Sequence, residues 1–189
     1  RYGEAGEKLE ALAQPLAADR PPLAAQLFAQ AGQAWMLAGS NERARAVLDR
    51  AVALTPADVE LLIDRSFALV GLGKYREAVD DLSRAVELEP DLPEVYLFRA
   101  TAYRYLESYD LAREDLERSL TLAPDRPEAL LERGNLRRLT GDPDGARADW
   151  LRVLELAPEG PGAEAARTNI ERLDVKVEPD APPPSSNGN

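Results

Sequence analysis

The side chains that could carry chemistry in this chain are carboxylates and arginines. The 189 residues contain no cysteine and no histidine, which excludes thiolate nucleophiles, disulfides, imidazole bases and most zinc sites. Two pairs of carboxylates, Asp80 with Asp81 and Glu87 with Glu89, are close enough in sequence to suggest acid–base catalysis. Neighbouring and alternate residues of a helix point in different directions, however, so neither pair converges on one substrate. Because the sequence has no phosphate-binding loop or nucleophile motif either, we expect no enzymatic activity, no metal and no cofactor.

The overall charge limits the class of partner. The formal net charge is −11 and the sequence pI is near 4.6, so attraction to nucleic acid phosphates or to an anionic membrane surface is not expected. No stretch approaches the roughly 20 apolar residues of a membrane span. We therefore expect a soluble protein whose partner is a cationic or neutral protein or peptide.

One pair of opposite charges recurs along the chain. The pairs are Arg65 with Asp81, Arg99 with Asp115, and Arg133 with Asp149. At the corresponding earlier positions stand Ala31 and Val47, so both charges are missing where either is missing. This joint loss predicts contact, and a guanidinium can donate two hydrogen bonds to one carboxylate. We expect these ion pairs to join two helices and to stabilise the fold rather than to bind a ligand.

The elements that position these residues follow a period of 34 residues. The period is set by five prolines, Pro22, Pro56, Pro90, Pro124 and Pro158. Small and large residues alternate in register with them, first Ala44, Ala78, Ala112 and Ala146, then Leu48, Leu82, Leu116 and Trp150. Turn signals at Gly39-Ser40-Asn41, Gly73-Lys74, Glu107-Ser108 and Gly141-Asp142-Pro143 divide every unit into two helices. Since neither helix can bury its apolar face alone, the units must stack, which predicts an all-α, right-handed superhelical solenoid of antiparallel helix pairs.

Residues 23–158 resemble four tandem tetratricopeptide repeats, over 23–56, 57–90, 91–124 and 125–158. The resemblance rests on the period, the placement of alanines, the closing prolines, and Tyr75 and Tyr109 at the start of second helices. Arg137 and Pro143 depart from the family pattern, because the first replaces an apolar residue and the second a tyrosine. We therefore expect the fourth repeat to be loosened where its helices meet.

The segments outside the repeats have separate roles in this interpretation. Residues 1–22 are predicted to form a helix, from Tyr2 to Ala18 with a kink at Pro15, that shields the first repeat. Residues 159–174 are predicted to form a capping helix. Residues 175–189 have the composition of a flexible tail. Because the chain begins at Arg1 rather than Met, we also expect that a preceding segment was removed, either by a signal peptidase or by truncation.

The resemblance implies a concave groove lined by the first helix of each repeat. The residues that it places there are Glu60, Asp64, Phe67, Glu94, Phe98, Thr101, Arg104, Tyr105, Glu128, Glu132, Asn135 and Arg138. Mostly acidic rows around aromatic side chains would suit a basic or apolar segment of a partner. Arg104 and Arg138 could meet an acidic group at one end. In this family, gripping an acidic chaperone tail needs lysine, asparagine and arginine on these rows, so we expect no binding to such tails.

Three alternatives stay open at this point. The acidic rows could be a solvated face without a ligand. The chain could also be the recognition arm or a subunit of a larger catalytic or assembly complex. Finally, the solenoid could self-associate as a homo-oligomer, with the tail segment Val175-Lys176-Val177 of one molecule in the groove of another. The excess of arginine over lysine, with abundant alanine and proline, favours a bacterial source. The absence of cysteine suits a reducing and an oxidising compartment equally, so the choice between bacterial cytoplasm and periplasm stays open.

Overall fold

The computed structural model describes residues 1–174, so the predicted tail at 175–189 lies outside the described residues. Residues 1–174 form ten α-helices and one short 3₁₀ turn, Gln14–Leu16, and contain no strand. The helices are α1 (Tyr2–Ala13), α2 (Pro21–Leu37), α3 (Asn41–Leu54), α4 (Val59–Gly71), α5 (Tyr75–Leu88), α6 (Pro93–Tyr105), α7 (Tyr109–Leu122), α8 (Pro127–Leu139), α9 (Pro143–Leu156) and α10 (Ala163–Asp174).

The helices are arranged as consecutive pairs, as the 34-residue period predicts. Helices α2, α4, α6 and α8 are the first helices of the four pairs, and α3, α5, α7 and α9 are the second helices. Each second helix also packs against the first helix of the next pair. The prediction of an all-α helical repeat solenoid is confirmed. None of the helices in residues 1–174 has the length and apolar content that crossing a lipid bilayer requires.

The turn inside each pair needs one residue in the left-handed backbone region. Gly39, Gly73 and Gly141 have φ values of 72°, 70° and 88° there, and Glu107 occupies the same place with a φ of 58°. The following amide then donates to a carbonyl five residues earlier, as from Ser108 to Tyr103 over 2.9 Å, which ends the helix. The predicted turn positions are therefore confirmed.

The small and large residues of the repeat interlock in the core. The four periodic alanines are fully buried, and so is the large residue four positions after each of them in the same helix. The close approach is clearest at Gly134, where an added Cβ would lie 2.5 Å from Nε1 of the Trp150 indole. A larger residue at Gly134 would push the first and second helices of the fourth pair apart.

The three predicted arginine–aspartate pairs are confirmed as two-bond contacts. The shortest N–O distances are 2.5 Å for Arg65–Asp81, 2.8 Å for Arg99–Asp115 and 2.6 Å for Arg133–Asp149. Two of these arginines also reach the preceding pair of helices, as Arg65 Nη1 donates to Asp49 over 3.1 Å and Arg99 Nη1 to Ser83 over 3.2 Å. In the first repeat Ala31 and Val47 are buried instead, so that repeat is closed by apolar contact.

The fourth pair of helices does not show the loosening that its departures from the family pattern predicted. Arg137 Nη1 donates to Asp149 Oδ2 over 2.8 Å and to the Gly145 carbonyl over 3.2 Å. The arginine thus replaces an apolar contact between α8 and α9 with a charged one.

The two ends of the array are covered by single helices. Helix α1 ends at Ala13, because Pro15 lies in the 3₁₀ turn, and Glu10 accepts a 2.6 Å hydrogen bond from the Trp35 indole. At the other end, α10 buries Ala163 and Ala166 and packs Ile170 against the core around Trp150.

Candidate partner-binding groove

Side-chain contacts join each first helix to the next, and they involve six of the twelve predicted groove residues. From α2 to α10 the contacts are Gln33 Nε2 to Asp64 Oδ2 at 3.1 Å, Phe67 to Phe98 with ring centroids 4.7 Å apart, Arg104 Nε to Glu132 Oε1 at 2.5 Å, and Asn169 Nδ2 to Asn135 Oδ1 at 2.9 Å. The predicted site residues together with Gln33 are called the groove below.

Aromatic side chains occupy the middle of the groove. Phe67 is 38% exposed and meets Phe98 edge to face, at an angle of 76° between the ring planes. Tyr105, which lies two turns after Phe98 in α6, is 47% exposed and stacks on Tyr75 with ring centroids 4.7 Å apart. The guanidinium carbon of Arg104 lies 4.6 Å from the Tyr105 ring centroid. The centre of the groove therefore offers accessible aromatic surface, which is the kind of surface that anchors partners.

Open carboxylates lie toward the amino-terminal ends of the first helices. Glu60 and Glu128 are exposed in the first turns of α4 and α8. Asp64 is half-buried, and burial raises its pKa, while the hydrogen bond from Gln33 lowers it and the neighbouring Glu60 and Asp58 raise it further. A cation placed beside Asp64 would offset the cost of burying its charge.

Three of the five predicted groove carboxylates are already paired within the chain. Glu132 is only 9% exposed and is held by Arg104. Glu94 lies 3.2 Å from Nη1 of Arg126, and Glu128 lies 3.8 Å from Nε of the same arginine. The groove is consequently less acidic than its sequence suggests, and the groove carboxylates without an ion pair in residues 1–174 are Glu60 and Asp64.

A depression of about 660 Å³ adjoins this acidic side of the groove. Its walls are the loop before α4 and the starts of α4 and α6, and they include the side chains of Asp58, Glu60, Ile63, Glu89 and Glu94. Carboxylates on the rim and Ile63 within it could accept an aliphatic cationic side chain.

The remaining predicted residues take more local roles. The Thr101 hydroxyl donates to the Leu97 carbonyl over 3.0 Å, within its own helix. Asn135 connects Glu132 to Asn169 of α10. Arg138 is exposed, and the part of the chain that the structure describes contains no hydrogen bond or ion pair to its guanidinium. In the same part of the chain, no group of three acidic side chains is arranged to hold a metal ion.

The sequence did not reveal the contacts that connect successive first helices. Arg104 corresponds to Met36 and Val70 in the earlier repeats, so no recurring pair indicates its bond to Glu132. Arg126 likewise has no arginine at equivalent positions in other repeats. Contacts of this kind depend on how far each pair is displaced against the next, which a period alone does not specify.

Comparison with known proteins agrees with this architecture. Two models of the tetratricopeptide repeat match residues 32–103 and 97–164. No match was found among curated proteins. Among solved structures, TTC0263, a thermophilic TPR protein of Thermus thermophilus, is 23% identical with a TM-score of 0.69, covering 88% of this chain and 100% of that chain.

Two further similar structures are of a TPR protein with a peptide-binding site and of a TPR bound to a peptide. YrrB, "a TPR protein with an unusual peptide-binding site", is 19% identical with a TM-score of 0.67, covering 86% of this chain and 84% of that chain. The first TPR of Spaghetti (RPAP3), bound to the HSP90 peptide SRMEEVD, is 28% identical with a TM-score of 0.55, covering 61% of this chain and 92% of that chain. Since the family models together span residues 32–164 and the helix pairs follow the same period, this chain belongs to the tetratricopeptide repeat family.

Proposed function

We propose that this protein is a non-enzymatic interaction module whose groove binds a short segment of a partner protein, with Lys or Arg beside apolar anchors. The observation that carries the proposal is the accessible Phe67–Phe98 pair, which lies next to the half-buried carboxylate of Asp64. An aromatic pair left partly open in a continuous face is typical of a surface that a partner covers.

The aromatic residues supply the apolar part of the recognition. An aliphatic or aromatic side chain of the ligand would fill the space over Phe67 and Phe98, and a second would lie against Tyr105. Phe67 and Tyr105 are exposed and lie outside the buried core clusters. Truncating Phe67 is therefore expected to affect binding much more than folding.

The open carboxylates supply the charge preference. Glu60 and Asp64 favour a cationic segment, whereas Glu94, Glu128 and Glu132 contribute less because Arg126 and Arg104 already pair with them. The HSP90 peptide bound to the first TPR of Spaghetti, SRMEEVD, carries adjacent glutamates. We propose that this groove disfavours such a tail, because its carboxylates would approach those of Glu60 and Asp64.

Fluorescence anisotropy with labelled basic–apolar peptides tests the proposal. For peptides that bind the wild-type protein, Phe67→Ala should weaken affinity by about tenfold or more, as expected when an aromatic anchor is lost. Leu151→Ala is the matched control, because Leu151 is 46% exposed but lies on a second helix, outside the groove. Equal effects of the two substitutions, or no binding by any basic–apolar peptide, would contradict a groove site.

The pH dependence of the same binding tests the role of Asp64. A ligand cation stabilises the ionised carboxylate, so affinity should fall as pH decreases through the raised pKa of Asp64. Asp64→Asn should bind more weakly at neutral pH and lose most of this dependence. An unchanged pH profile in Asp64→Asn would show that the cation lies elsewhere.

A further inference from the structure

Arg138 corresponds, one repeat later, to Arg104, a groove arginine that is already paired with Glu132. Arg104 lies 20 residues before its closing proline, Pro124, and its carboxylate partner Glu132 lies 26 residues before the next one, Pro158. One period later these positions are Arg138 and Ala166. The repeat therefore supplies the second arginine but replaces its acceptor with alanine.

Helix α10 continues the register of the first helices, so the comparison with Ala166 is a spatial one. Ala163 is buried as Ala129 is, one period earlier, and Asn169 bonds to Asn135, its own counterpart. Ala166 is fully buried at the place where Glu132 stands in α8. The α10 side chain at that place consequently has no oxygen with which to accept a hydrogen bond from Arg138.

The surroundings of Arg138 are open and partly apolar. Its side chain is exposed, and within residues 1–174 it has no hydrogen bond or ion pair. The next residue, Leu139, is 44% exposed, and the equivalent residue of the preceding repeat, Tyr105, is 47% exposed. An exposed guanidinium, with accessible apolar side chains on its own helix and on the preceding first helix, suits a carboxylate that is flanked by apolar residues.

We propose that Arg138 binds an acidic side chain of the ligand, so that the groove recognises a segment with charges in a fixed order. This inference rests on the proposed function: the basic residue of the ligand lies over Glu60 and Asp64 of α4, apolar residues cover the aromatic centre, and the acidic residue lies over Arg138 of α8. Two first-helix spacings of about 10 Å each separate α4 from α8. An extended ligand must therefore place at least about six residues between its two charges.

Selection of a displayed library of random peptides on the wild-type protein tests this order. Enriched sequences should carry a Lys or Arg at one end of an apolar stretch and an Asp or Glu at the other end. A second selection on Arg138→Glu should replace the acidic residue with a basic one while keeping the apolar residues. Arg84→Glu is the matched control, because Arg84 is exposed on the second helix α5, and it should enrich the same sequences as the wild type.

Affinities of the selected peptides then test the contact itself. Arg138→Glu should weaken binding of a wild-type-selected peptide by roughly fivefold to tenfold, and changing the acidic residue of that peptide to Lys should restore it. Restoration by the complementary peptide also shows that the variant is folded. Amidating the carboxy terminus of the peptides should leave these affinities unchanged. Binding that depends on a free carboxy terminus would overturn the assignment to a side chain.

The outcomes separate this inference from the proposal on which it rests. If selected peptides lose binding with Phe67→Ala but change less than about twofold with Arg138→Glu, the groove function stands and the role of Arg138 is wrong. Arg138 then only complements the carboxy-terminal end of the α8 dipole. If no peptide depends on Phe67, the groove function itself is wrong.

Discussion

At the residue scale, the arginine–aspartate pairs show how a charge can serve the fold rather than a ligand. Arg99 donates two hydrogen bonds to Asp115, and the side chains are only 17% and 8% exposed. The hydrogen bond to Asp115 raises the pKa of Arg99 more than burial lowers it. Arg99 therefore stays charged, and the cost of removing it is the cost of leaving Asp115 buried without a partner.

We predict that Arg99→Ala lowers the free energy of unfolding by about 2 to 4 kcal/mol, because it leaves the Asp115 carboxylate unpaired. The chain itself offers the control, since the first repeat carries buried Ala31 and Val47 at these positions. The double variant with Arg99→Ala and Asp115→Val should recover at least half of the loss in urea unfolding experiments. If Arg99→Ala left stability unchanged but removed partner binding, the pair would belong to the groove instead.

At the scale of the element, the turns between paired helices depend on one left-handed residue each. Gly39, Gly73 and Gly141 meet this requirement at little cost, but Glu107 adopts a φ of 58° with a side chain attached. A non-glycine residue there is strained by contact between Cβ and the following carbonyl oxygen. The α6–α7 turn is thus the weakest of the four by this criterion.

Glu107→Gly should raise the free energy of unfolding by about 0.5 to 1 kcal/mol, because relief of backbone strain exceeds the added entropy of the unfolded chain. Gly73→Ala provides the reverse control. Its φ is 70° and an added Cβ would have no atom within 4 Å, so any loss of stability reports backbone strain alone. A destabilised Glu107→Gly protein would mean that the glutamate side chain makes a contact worth more than the strain.

Structural features that recur in every repeat could be predicted from the sequence. The five prolines and the turn residues determined the helix pairs, and the joint absence of charge at Ala31 and Val47 indicated the arginine–aspartate contact. Contacts that occur once, such as Glu94 with Arg126, could not be found in this way. These contacts neutralise part of the groove charge, so the groove is less acidic than its sequence suggests, and its assignment to the first helices stays a prediction.

At the scale of the whole molecule, the solenoid has no central core, and each pair of helices depends on its neighbours. Each pair of helices buries apolar surface against the next pair, so the core clusters extend over several consecutive pairs. Within residues 1–174, the last pair, α8 and α9, is flanked by the preceding pair on one side and by the single helix α10 on the other. Its stability should therefore depend on α10 in a way that the first pairs do not share.

Ending the chain at Gly162 removes Ile170 and Leu173, which pack against the core around Trp150, and the ion pair between Arg147 and Asp174. We predict that amide hydrogens of α8 and α9 then exchange at least about tenfold faster. The surface that α10 had covered is already exposed in this variant, so local opening costs less free energy. Amides of α2 to α5 should keep their rates within about twofold, since nearest-neighbour coupling weakens with distance along the array. A chain ending at Asp174, which retains α10, is the control for truncation itself. Uniformly faster exchange in all helices would instead mean that the four pairs unfold as one cooperative unit.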